Sequence, residues 1–346
     1  MKRKTKGTQM DKRKVQDLEL QTLRRGLVLA PLAGVGLGAL GLRSAQAAAP
    51  QVVYLTPGLD LPFWRTLGQG VQQYVEARGH GFQVLDSRNS DALQLQNAQA
   101  ALGKGVAGLV LSPTSSKSAV DVLDLASKAR VPVVVADIGT NGGDYVSYVK
   151  SDNYKGAYGV GEALAQVMKE RGWQGEPYAM CTIALDRKNG QDRTNGFRDA
   201  MRDAGFGKEL ALRQMKTYST EETYGFVKDL LTQHPKLRGL FVEVDQPTLG
   251  ALQAIRELKR SNDLLLGSFD GIPEFVDLLR RKALVAVGMQ QPLLMGSQAA
   301  EALLASRSAA SPPAKQILVP VLIATSQNID QWLPVAKKTV FGSDVK

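Results

Sequence analysis

The chain has 346 residues, of which 44% are hydrophobic and 22% are charged, and its formal net charge is +10. Such a composition is typical of a soluble globular protein that is long enough for two domains. The basic charge does not indicate a nucleic-acid-binding surface, because residues 1–47 carry a net +7 and the other 299 residues only +3. We therefore expect no nucleic-acid partner.

The first 47 residues have the pattern of an export signal. A basic polar stretch ends at Arg24-Arg25, an uncharged glycine-rich segment follows over 26–42, and small residues offer cleavage after Ala47 or after Ala49. Paired arginines ahead of a weakly hydrophobic core resemble a twin-arginine signal, with export by the general secretory route as the alternative. Because 17 residues are at the short limit for a membrane span, we expect cleavage and a periplasmic mature protein.

Cys181 is the single cysteine and lies in a predicted strand. One cysteine cannot form an internal disulfide, and within an apolar run it is expected to be a small buried side chain rather than a nucleophile. Since no cysteine follows the apolar part of the leader, we expect no lipid anchor on the mature protein.

Beyond the leader, short apolar runs that end in a polar residue alternate with helical patterns. Runs this apolar are typical of parallel strands buried on both faces, joined by helical crossovers. In the first half we predict strands over 51–56, 82–86, 108–112, 131–137 and 145–149, and helices over 63–78, after Ser90, after Ser116 and over 154–170.

The second half repeats this alternation without an obvious sequence repeat. We predict strands over 178–183, 212–217, 240–244, 264–269, 284–289 and 317–324, and helices over 193–204, 221–232, 249–258, 273–281 and 293–304. The fold class is therefore α/β, with two doubly wound parallel-sheet lobes joined by three crossovers near 151–154, 290–292 and 322–325. The N-terminal lobe is expected to comprise 48–152 plus 291–322, and the C-terminal lobe 153–290 plus 323–346.

Carboxylates follow three of the predicted strands, as Asp137, Asp245 and Asp270. Open parallel sheets bind ligands at the carboxyl ends of their strands, so two such lobes predict one ligand cleft between them. A cofactor or a metal is not expected. The segment 139–143 lacks the Gly-x-Gly-x-x-Gly spacing of a phosphate-binding loop, and the two histidines form no cluster with cysteine.

Seven segments together carry a resemblance to a known family. They are Pro62-Phe63-Trp64, Gly-Val-Ala-Gly-Leu-Val-Leu-Ser-Pro over 105–113, Val-Pro-Val-Val over 131–134 followed by Asp137, Asp-Arg-Thr-Asn-Gly-Phe over 192–197, Leu-Gly-Ala-Leu over 249–252, Phe-Asp-Gly-Ile-Pro over 269–273 and Met-Gln-Gln-Pro over 289–292. In this order and spacing, essentially the whole mature chain resembles the type I periplasmic sugar-binding proteins that serve ABC transporters, the ribose- and galactose-binding group.

The resemblance implies a site for a sugar. Carboxylates and a guanidinium form charge-assisted hydrogen bonds with hydroxyl groups, and aromatic rings cover the C–H faces of the ring. The residues so implied are Phe63, Trp64, Asp137, Arg193, Asp245, Asp270 and Gln290. Each also has a purely structural interpretation, since the aspartates could cap turns, Arg193 could be a solvated helix residue, and the two rings could belong to the core.

Three positions depart from the family pattern. Leu61 and Val244 stand where the family has asparagines, and Ile138 stands where an arginine often follows Asp137. Because a buried polar group left unpaired costs about 1–3 kcal/mol, a fully hydroxylated pentose is expected to bind poorly. We therefore expect a less hydroxylated or partly apolar ligand, such as a deoxy or methylated sugar, a polyol or a sugar derivative.

The function implied by the resemblance is that of a monomeric solute-binding protein that closes around its ligand and delivers it to an ABC permease. The same fold would also suit a sensory co-receptor for a histidine kinase or chemoreceptor. An enzyme would have to be a hydrolase that uses Asp137 and Asp270 as a carboxylate pair, which we do not expect. A DNA-binding repressor is disfavoured, because the first 50 residues hold an export signal instead of a DNA-reading helix pair.

Overall fold

The computed structural model describes residues 49–307 and 312–342, so the predicted export signal lies outside the described residues. In chain order the elements are β1 (Gln51–Thr56), α1 (Pro62–Glu76), β2 (Gly81–Asp86), α2 (Asp91–Gly103), β3 (Gly108–Leu111), α3 (Ser118–Lys128), β4 (Val133–Ala136), β5 (Ser147–Ser151), α4 (Asn153–Glu170), β6 (Tyr178–Thr182), α5 (Lys188–Asp203), β7 (Glu209–Gln214), α6 (Thr220–Gln233), β8 (Gly239–Val242), α7 (Asp245–Glu257), β9 (Leu265–Phe269), α8 (Glu274–Arg280), β10 (Ala286–Met289), α9 (Pro292–Ala305), β11 (Gln316–Val319), β12 (Leu322–Thr325) and α10 (Ile329–Thr339). Within these ranges no helix is long and apolar enough to cross a bilayer.

The strands form two six-stranded sheets of matching order. The first sheet runs β11-β5-β4-β3-β1-β2 and is parallel throughout, and the second runs β12-β10-β9-β8-β6-β7 with only β12 antiparallel to its neighbour. Helices cover both faces of each sheet, and the sheet with its helices is here called a lobe. The predicted α/β fold of two parallel-sheet lobes is confirmed.

Both lobes are layered in the way that the apolar runs require. In β1, Val52 and Tyr54 face the cluster formed with α1 and α9, whereas Val53 and Leu55 face the cluster formed with α2 and α3. All four side chains are fully buried, because successive residues of a strand point to opposite faces. Burying each such side chain stabilises the fold by about 1.5–3 kcal/mol.

The C-terminal lobe has the same two-sided core. Met180 of β6 packs in the cluster with α4 and α5, and its neighbour Cys181 packs in the cluster with α6, α7 and α8. Cys181 is a free, buried thiol, as the sequence predicted. Burial raises the pKa of this thiol to about 12, so it remains protonated at neutral pH.

The chain passes between the sheets three times, between β5 and α4, between β10 and α9, and between β11 and β12. The single strand predicted over 317–324 is wrong, because Pro320 and Val321 separate two strands that belong to different sheets. Proline has no backbone N–H with which to continue a ladder. Leu322, which we assigned to the N-terminal lobe from sequence, instead pairs with Met289 in the second sheet.

Candidate functional site

The carboxyl ends of both sheets face a cavity of about 360 Å³, here called the inner cavity. Six of the seven residues implied by the family resemblance line it, namely Phe63, Trp64, Asp137, Arg193, Asp270 and Gln290. Six further lining residues were not among those implied, namely Leu61, Ile183, Arg187, Asn189, Tyr218 and Val244. The cavity therefore has polar groups, aromatic rings and aliphatic side chains on its wall.

Asp137 follows β4 and presents a carboxylate with one paired and one unpaired oxygen. Its Oδ2 accepts a hydrogen bond of 2.8 Å from Nδ2 of Asn189 in the opposite lobe, and its buried Oδ1 has no partner. The backbone there is left-handed, with φ of 62°, and its N–H donates to Val149 of β5. Burial raises the pKa of Asp137 to about 7, while the charge of Arg193 acts in the opposite direction.

Asp270 follows β9 in the same conformation as Asp137, with φ of 64° and its N–H donating to Gly288 of β10. Its Oδ2 lies 3.3 Å from Nη1 of Arg193, and its Oδ1 accepts a short hydrogen bond from Nε2 of Gln290. Burial raises the pKa of Asp270, and Arg193 counteracts that shift. Both carboxylate oxygens are thus occupied by neighbours within the protein.

Arg193 is a buried anchor of the site rather than a solvated helix residue. Its Nε donates to Oδ1 of Asn153 over 2.9 Å, and its Nη1 donates to the backbone oxygen of Glu243 over 2.6 Å as well as to Asp270. The guanidinium also stacks 4.2 Å from the centre of the Phe269 ring. Because a buried charge is tolerated only when it is paired and hydrogen-bonded, this set of contacts fixes the position of the guanidinium.

Two acceptors in the inner cavity are buried without a hydrogen-bond partner, Oδ1 of Asp137 and Oε1 of Gln290. An unpaired buried acceptor costs about 1–3 kcal/mol, so the site favours a ligand that brings hydroxyl or amine donors to these two oxygens. Across the part of the chain that the structure describes, no group of His, Cys, Asp and Glu side chains could hold a metal ion.

Asp245 is not on the wall of the inner cavity. It is the first residue of α7, is almost fully buried, and accepts a hydrogen bond of 2.7 Å from the backbone N–H of Gln246. Burial and the negative charge of Asp270 raise its pKa to about 7. The structure therefore places Asp245 within electrostatic reach of Asp270 but not among the residues that face the cavity.

Sequence reasoning missed Glu243, which lies two residues before Asp245 at the end of β8. Its Oε1 accepts from Thr194 over 2.7 Å and its Oε2 accepts from the backbone N–H of Ile183 over 3.0 Å. Burial raises the pKa of Glu243 to about 8. Its hydrogen bonds tie α5 to the ends of β6 and β8, so Glu243 supports the wall of the cavity.

The start of α5 is a second feature that the sequence did not reveal. We predicted this helix from residue 193, but it begins at Lys188 and brings Arg187 and Asn189 into the cavity wall. Arg187 Nε donates to the backbone oxygen of Thr114 over 2.9 Å, and its Nη2 donates to Oδ1 of Asn89 over 2.6 Å. These bonds join the C-terminal lobe to the N-terminal lobe. The sequence did offer one signal for these residues, the run of polar residues that follows β6.

Aromatic rings lie on both sides of the inner cavity. Phe63 and Trp64, at the start of α1, meet edge to face with ring centres 4.8 Å apart. Tyr218 belongs to the C-terminal lobe and lies with its ring centre 5.3 Å from the guanidinium of Arg187. The predicted pair of rings is therefore complemented by a third ring that the sequence did not single out.

The three departures from the family pattern differ in their positions. Leu61 and Val244 line the inner cavity and make part of its wall apolar. Ile138 does not line it, because its side chain is fully buried in the core of the N-terminal lobe. Ile138 therefore adds no apolar surface to the cavity, and the argument for an apolar ligand surface depends on Leu61 and Val244.

A second cavity of about 470 Å³, here called the outer cavity, adjoins the first. The two share four lining residues, Leu61, Trp64, Arg187 and Tyr218. The outer cavity is completed by Pro57, Gly58, Asp60, Asn89 and Thr217. Since Asp60, Asn89 and Thr217 are exposed, the outer cavity opens to solvent.

The chain is similar to known proteins in both sequence and structure. The profile of the periplasmic binding protein domain matches residues 52–308. The ribose import binding protein of Salmonella typhimurium is 28% identical over 259 residues, which cover 75% of this chain and 85% of that protein.

Two solved structures share the fold at low sequence identity. One is a carbohydrate transporter solute-binding protein from Agrobacterium radiobacter in complex with D-arabinose, with a TM-score of 0.78, 21% identity and coverage of 85% of this chain and 99% of that one. The other is a galactofuranose binding protein, with a TM-score of 0.76 and 20% identity. The match covers 84% of this chain and 100% of that protein.

Proposed function

Because this chain belongs to the periplasmic binding protein family, we propose that it captures a sugar or sugar-like small molecule in the inner cavity and delivers it to the permease of an ABC importer. The observation that carries the proposal is the pair of unpartnered buried acceptors, on Asp137 and Gln290, in a cavity flanked by aromatic rings. The relatives named for ribose import, D-arabinose and galactofuranose support a carbohydrate as the ligand class.

The polar end of the cavity suits a hydroxylated ring. Oδ1 of Asp137 and Oε1 of Gln290 would each accept a ligand hydroxyl, and Arg193 would add a charge-assisted donor. Phe63, Trp64 and Tyr218 offer ring faces and edges to the C–H groups of a sugar. Asp245, which does not line the cavity, would act on the ligand only through Asp270.

The apolar part of the wall limits how many hydroxyls the ligand carries. Leu61, Ile183 and Val244 offer no hydrogen-bond partner, so a hydroxyl placed against them would lose its bonds to water without replacement. We propose a sugar with a deoxy position, a methyl group or another apolar substituent on that side of the ring.

Ligand binding would favour the closed arrangement of the lobes. Asp137 belongs to the N-terminal lobe, Arg193 and Asp270 belong to the C-terminal lobe, and a ligand between them would contact both. A ligand shifts a conformational equilibrium only through contacts that differ between the two states. Contacts to both lobes exist only in the closed state, so closure would report occupancy to the permease.

The arrangement favours binding over catalysis. The alternative, a hydrolase with Asp137 and Asp270 as its carboxylate pair, requires both groups, one to attack or to activate water and the other to donate a proton to the leaving group. Both oxygens of Asp270 are occupied, one by Arg193 and one by Gln290. We propose that the protein has no enzymatic activity and needs no cofactor.

The mature protein would act as a monomer in the periplasm after removal of the leader, with export by a twin-arginine signal or by the general secretory route. Transport and sensing make different predictions in cells. Deletion of the gene would abolish uptake of the radiolabelled ligand if the protein serves a permease, whereas loss of a ligand-induced transcriptional or chemotactic response with normal uptake would favour the sensory role.

A calorimetric titration of purified protein against sugars, deoxysugars, methyl sugars, polyols and amino acids tests the proposal. We expect at least one carbohydrate to bind, and Asp137→Asn to weaken it. The control is Asp124→Asn, because Asp124 is exposed on α3 and does not line the cavity. Binding only of amino acids, or equal binding by Asp137→Asn, would overturn the assignment of the site.

A further inference from the structure

We propose that the inner and outer cavities form one site for a two-part ligand, a hydroxylated head group in the inner cavity that carries a second ring in the outer cavity. In chemical terms the ligand would be a glycoside or a short oligosaccharide rather than a free monosaccharide. The inference rests on the proposed function and specifies the ligand class of the same site.

The continuity of the two cavities is the first support. The inner and outer cavities share four wall residues, Leu61, Trp64, Arg187 and Tyr218. A substituent that leaves the inner cavity between these side chains therefore enters the outer cavity. The outer cavity, at about 470 Å³, is the larger of the two.

The side chains at the junction suit a ring. Trp64 and Tyr218 are the aromatic members of the shared wall, and aromatic faces pack against either a sugar ring or another aromatic ring. Asp60, Asn89 and Thr217 at the exposed mouth add polar groups around this apolar surface. A ring with an apolar face and polar edges matches that distribution.

The junction is held in a defined shape, which is the second support. Tyr218 has a left-handed backbone with φ of 58°, and its hydroxyl accepts from the backbone N–H of Ala184 over 3.2 Å. The carboxylate of Glu222 accepts from the backbone N–H groups of Lys216, Thr217 and Tyr218 at 2.8–3.1 Å. Non-glycine residues in this conformation concentrate at binding sites, where the surroundings enforce them.

The opposite wall of the outer cavity is held in a similar way. Arg88 and Asn89 are consecutive left-handed residues, with φ of 47° and 55°. The N–H of Asn89 donates to the carbonyl oxygen of Pro57, and its side chain accepts from Arg187 over 2.6 Å. The segments that form both walls of the outer cavity are therefore held in a defined shape by contacts within the protein, which lowers the entropic cost of binding.

Isothermal titration with matched ligands tests the inference. The carbohydrate that binds in the calorimetric titration above, with D-ribose, D-arabinose and D-galactose beside it, would be compared as the free sugar, the methyl glycoside, the phenyl glycoside and a disaccharide that carries the same sugar at its non-reducing end. For the head group that binds, we expect at least one of the two ring-bearing forms to bind about tenfold more tightly than the methyl glycoside, a gain that one stacked ring can supply.

A variant that fills only the outer cavity sharpens the test. Gly58 lines the outer cavity, a Cβ there would meet no atom within 4 Å, and its φ is not positive. We expect Gly58→Phe to reduce the affinity ratio of ring glycoside to methyl glycoside to about one. The matched control is Gly207→Phe. A Cβ at Gly207 would also meet no atom within 4 Å, and this residue is exposed and lines neither cavity. The control variant should keep the affinity ratio of the unaltered protein.

The outcomes separate this inference from the proposed function. If no carbohydrate binds in any form, the proposed function is wrong. If free sugars bind and a second ring adds no affinity, or if Gly58→Phe retains the full advantage of the ring-bearing form, only the two-part ligand is overturned.

Discussion

Asn189 donates a hydrogen bond of 2.8 Å from its Nδ2 to Oδ2 of Asp137, and in doing so joins the start of α5 in one lobe to the end of β4 in the other. This bond leaves Oδ1 of Asp137 as the free acceptor of the carboxylate. One residue of the C-terminal lobe thus determines which oxygen of Asp137 would be available to a ligand in the proposed site.

Replacement of Asn189 should therefore change closure as well as affinity. In Asn189→Asp a second carboxylate would face Asp137 at hydrogen-bond distance, and like charges this close repel. We expect a larger radius of gyration in small-angle scattering and weaker binding of the ligand. Asn195→Asp is the control, since Asn195 is exposed on the same helix. An unchanged radius of gyration and affinity in Asn189→Asp would contradict the role of this bond.

The stability of the ligand-free protein should fall as the pH rises from about 5.5 to about 8. Burial raises the pKa of Asp137 to about 7 and that of Glu243 to about 8, and it raises the pKa of Asp245 and Asp270 as well. Because the folded state then binds more protons than the unfolded state in this range, the free energy of unfolding decreases with rising pH.

Urea denaturation at several pH values measures this slope. Glu243→Gln should reduce this slope, because the amide cannot lose a proton. The free energies of unfolding of the variant and the unaltered protein should therefore differ less at pH 5.5 than at pH 8. Three other carboxyl groups have lowered pKa values, those of Glu222, Asp199 and Glu257. At more acidic pH these groups make the free energy of unfolding rise with pH. A stability that increases from pH 5.5 to pH 8 would contradict the assignment.

Arg193 should be one of the most sensitive positions in the protein. Arg193→Leu leaves Asp270 as a buried carboxylate without its cation and removes the donors to Asn153 and Glu243. Loss of one partner of a buried ion pair typically costs about 3–5 kcal/mol, which chemical denaturation would detect. Arg202→Leu on the exposed face of α5 should change the free energy of unfolding by about 0.5 kcal/mol or less.

The aliphatic part of the cavity wall should control how many hydroxyls are accepted. In Leu61→Asn an amide replaces a side chain of the wall, so the variant should gain affinity for fully hydroxylated pentoses by about tenfold relative to deoxy or methyl sugars. Leu318→Asn on the exposed face of β11 is the control. An unchanged preference in Leu61→Asn would show that this side chain does not select the ligand.

Gly296 allows α9 to lie directly against α1. A Cβ at this position would overlap the backbone carbonyl of Leu67, which cannot move without shifting the helix. We expect Gly296→Ala to destabilise the protein by about 1–3 kcal/mol. By contrast, Gly225→Ala in α6 meets no atom within 4 Å and should stabilise it by up to about 1 kcal/mol. Equal effects of the two substitutions on the melting temperature would contradict this account.

The sheets and the strand-end carboxylates were accessible from sequence because both depend on local patterns. Fully apolar runs predict strands buried on two faces, and β4 and β9 end at Asp137 and Asp270 as expected. The start of α5 was not accessible in this way. Residues 188–195 are polar, so no apolar periodicity indicates a helix until Phe197, and Arg187 and Asn189 were overlooked.

Side-chain direction near turns was also not accessible from the sequence. The left-handed backbone at Asp137 interrupts the alternation of β4, so Ile138 points into the core instead of the cavity. Likewise, Asp245 is the first residue of α7 and bonds its own helix terminus rather than facing the cavity. The spacing of residue types alone does not show that a side chain next to a turn points to the other side of the backbone.

The matching geometry of Asp137 and Asp270 has a consequence for the symmetry of the molecule. Each follows the fourth strand of its lobe, adopts nearly the same φ, and donates its N–H to the strand that comes next. The two carboxylates thus occupy corresponding positions in the strand order of the two lobes. Two identical lobes placed face to face would already present such a pair of carboxylates to a ligand between them. In this protein the two carboxylates have different hydrogen-bond partners, so the site is asymmetric and would hold a ligand in one orientation.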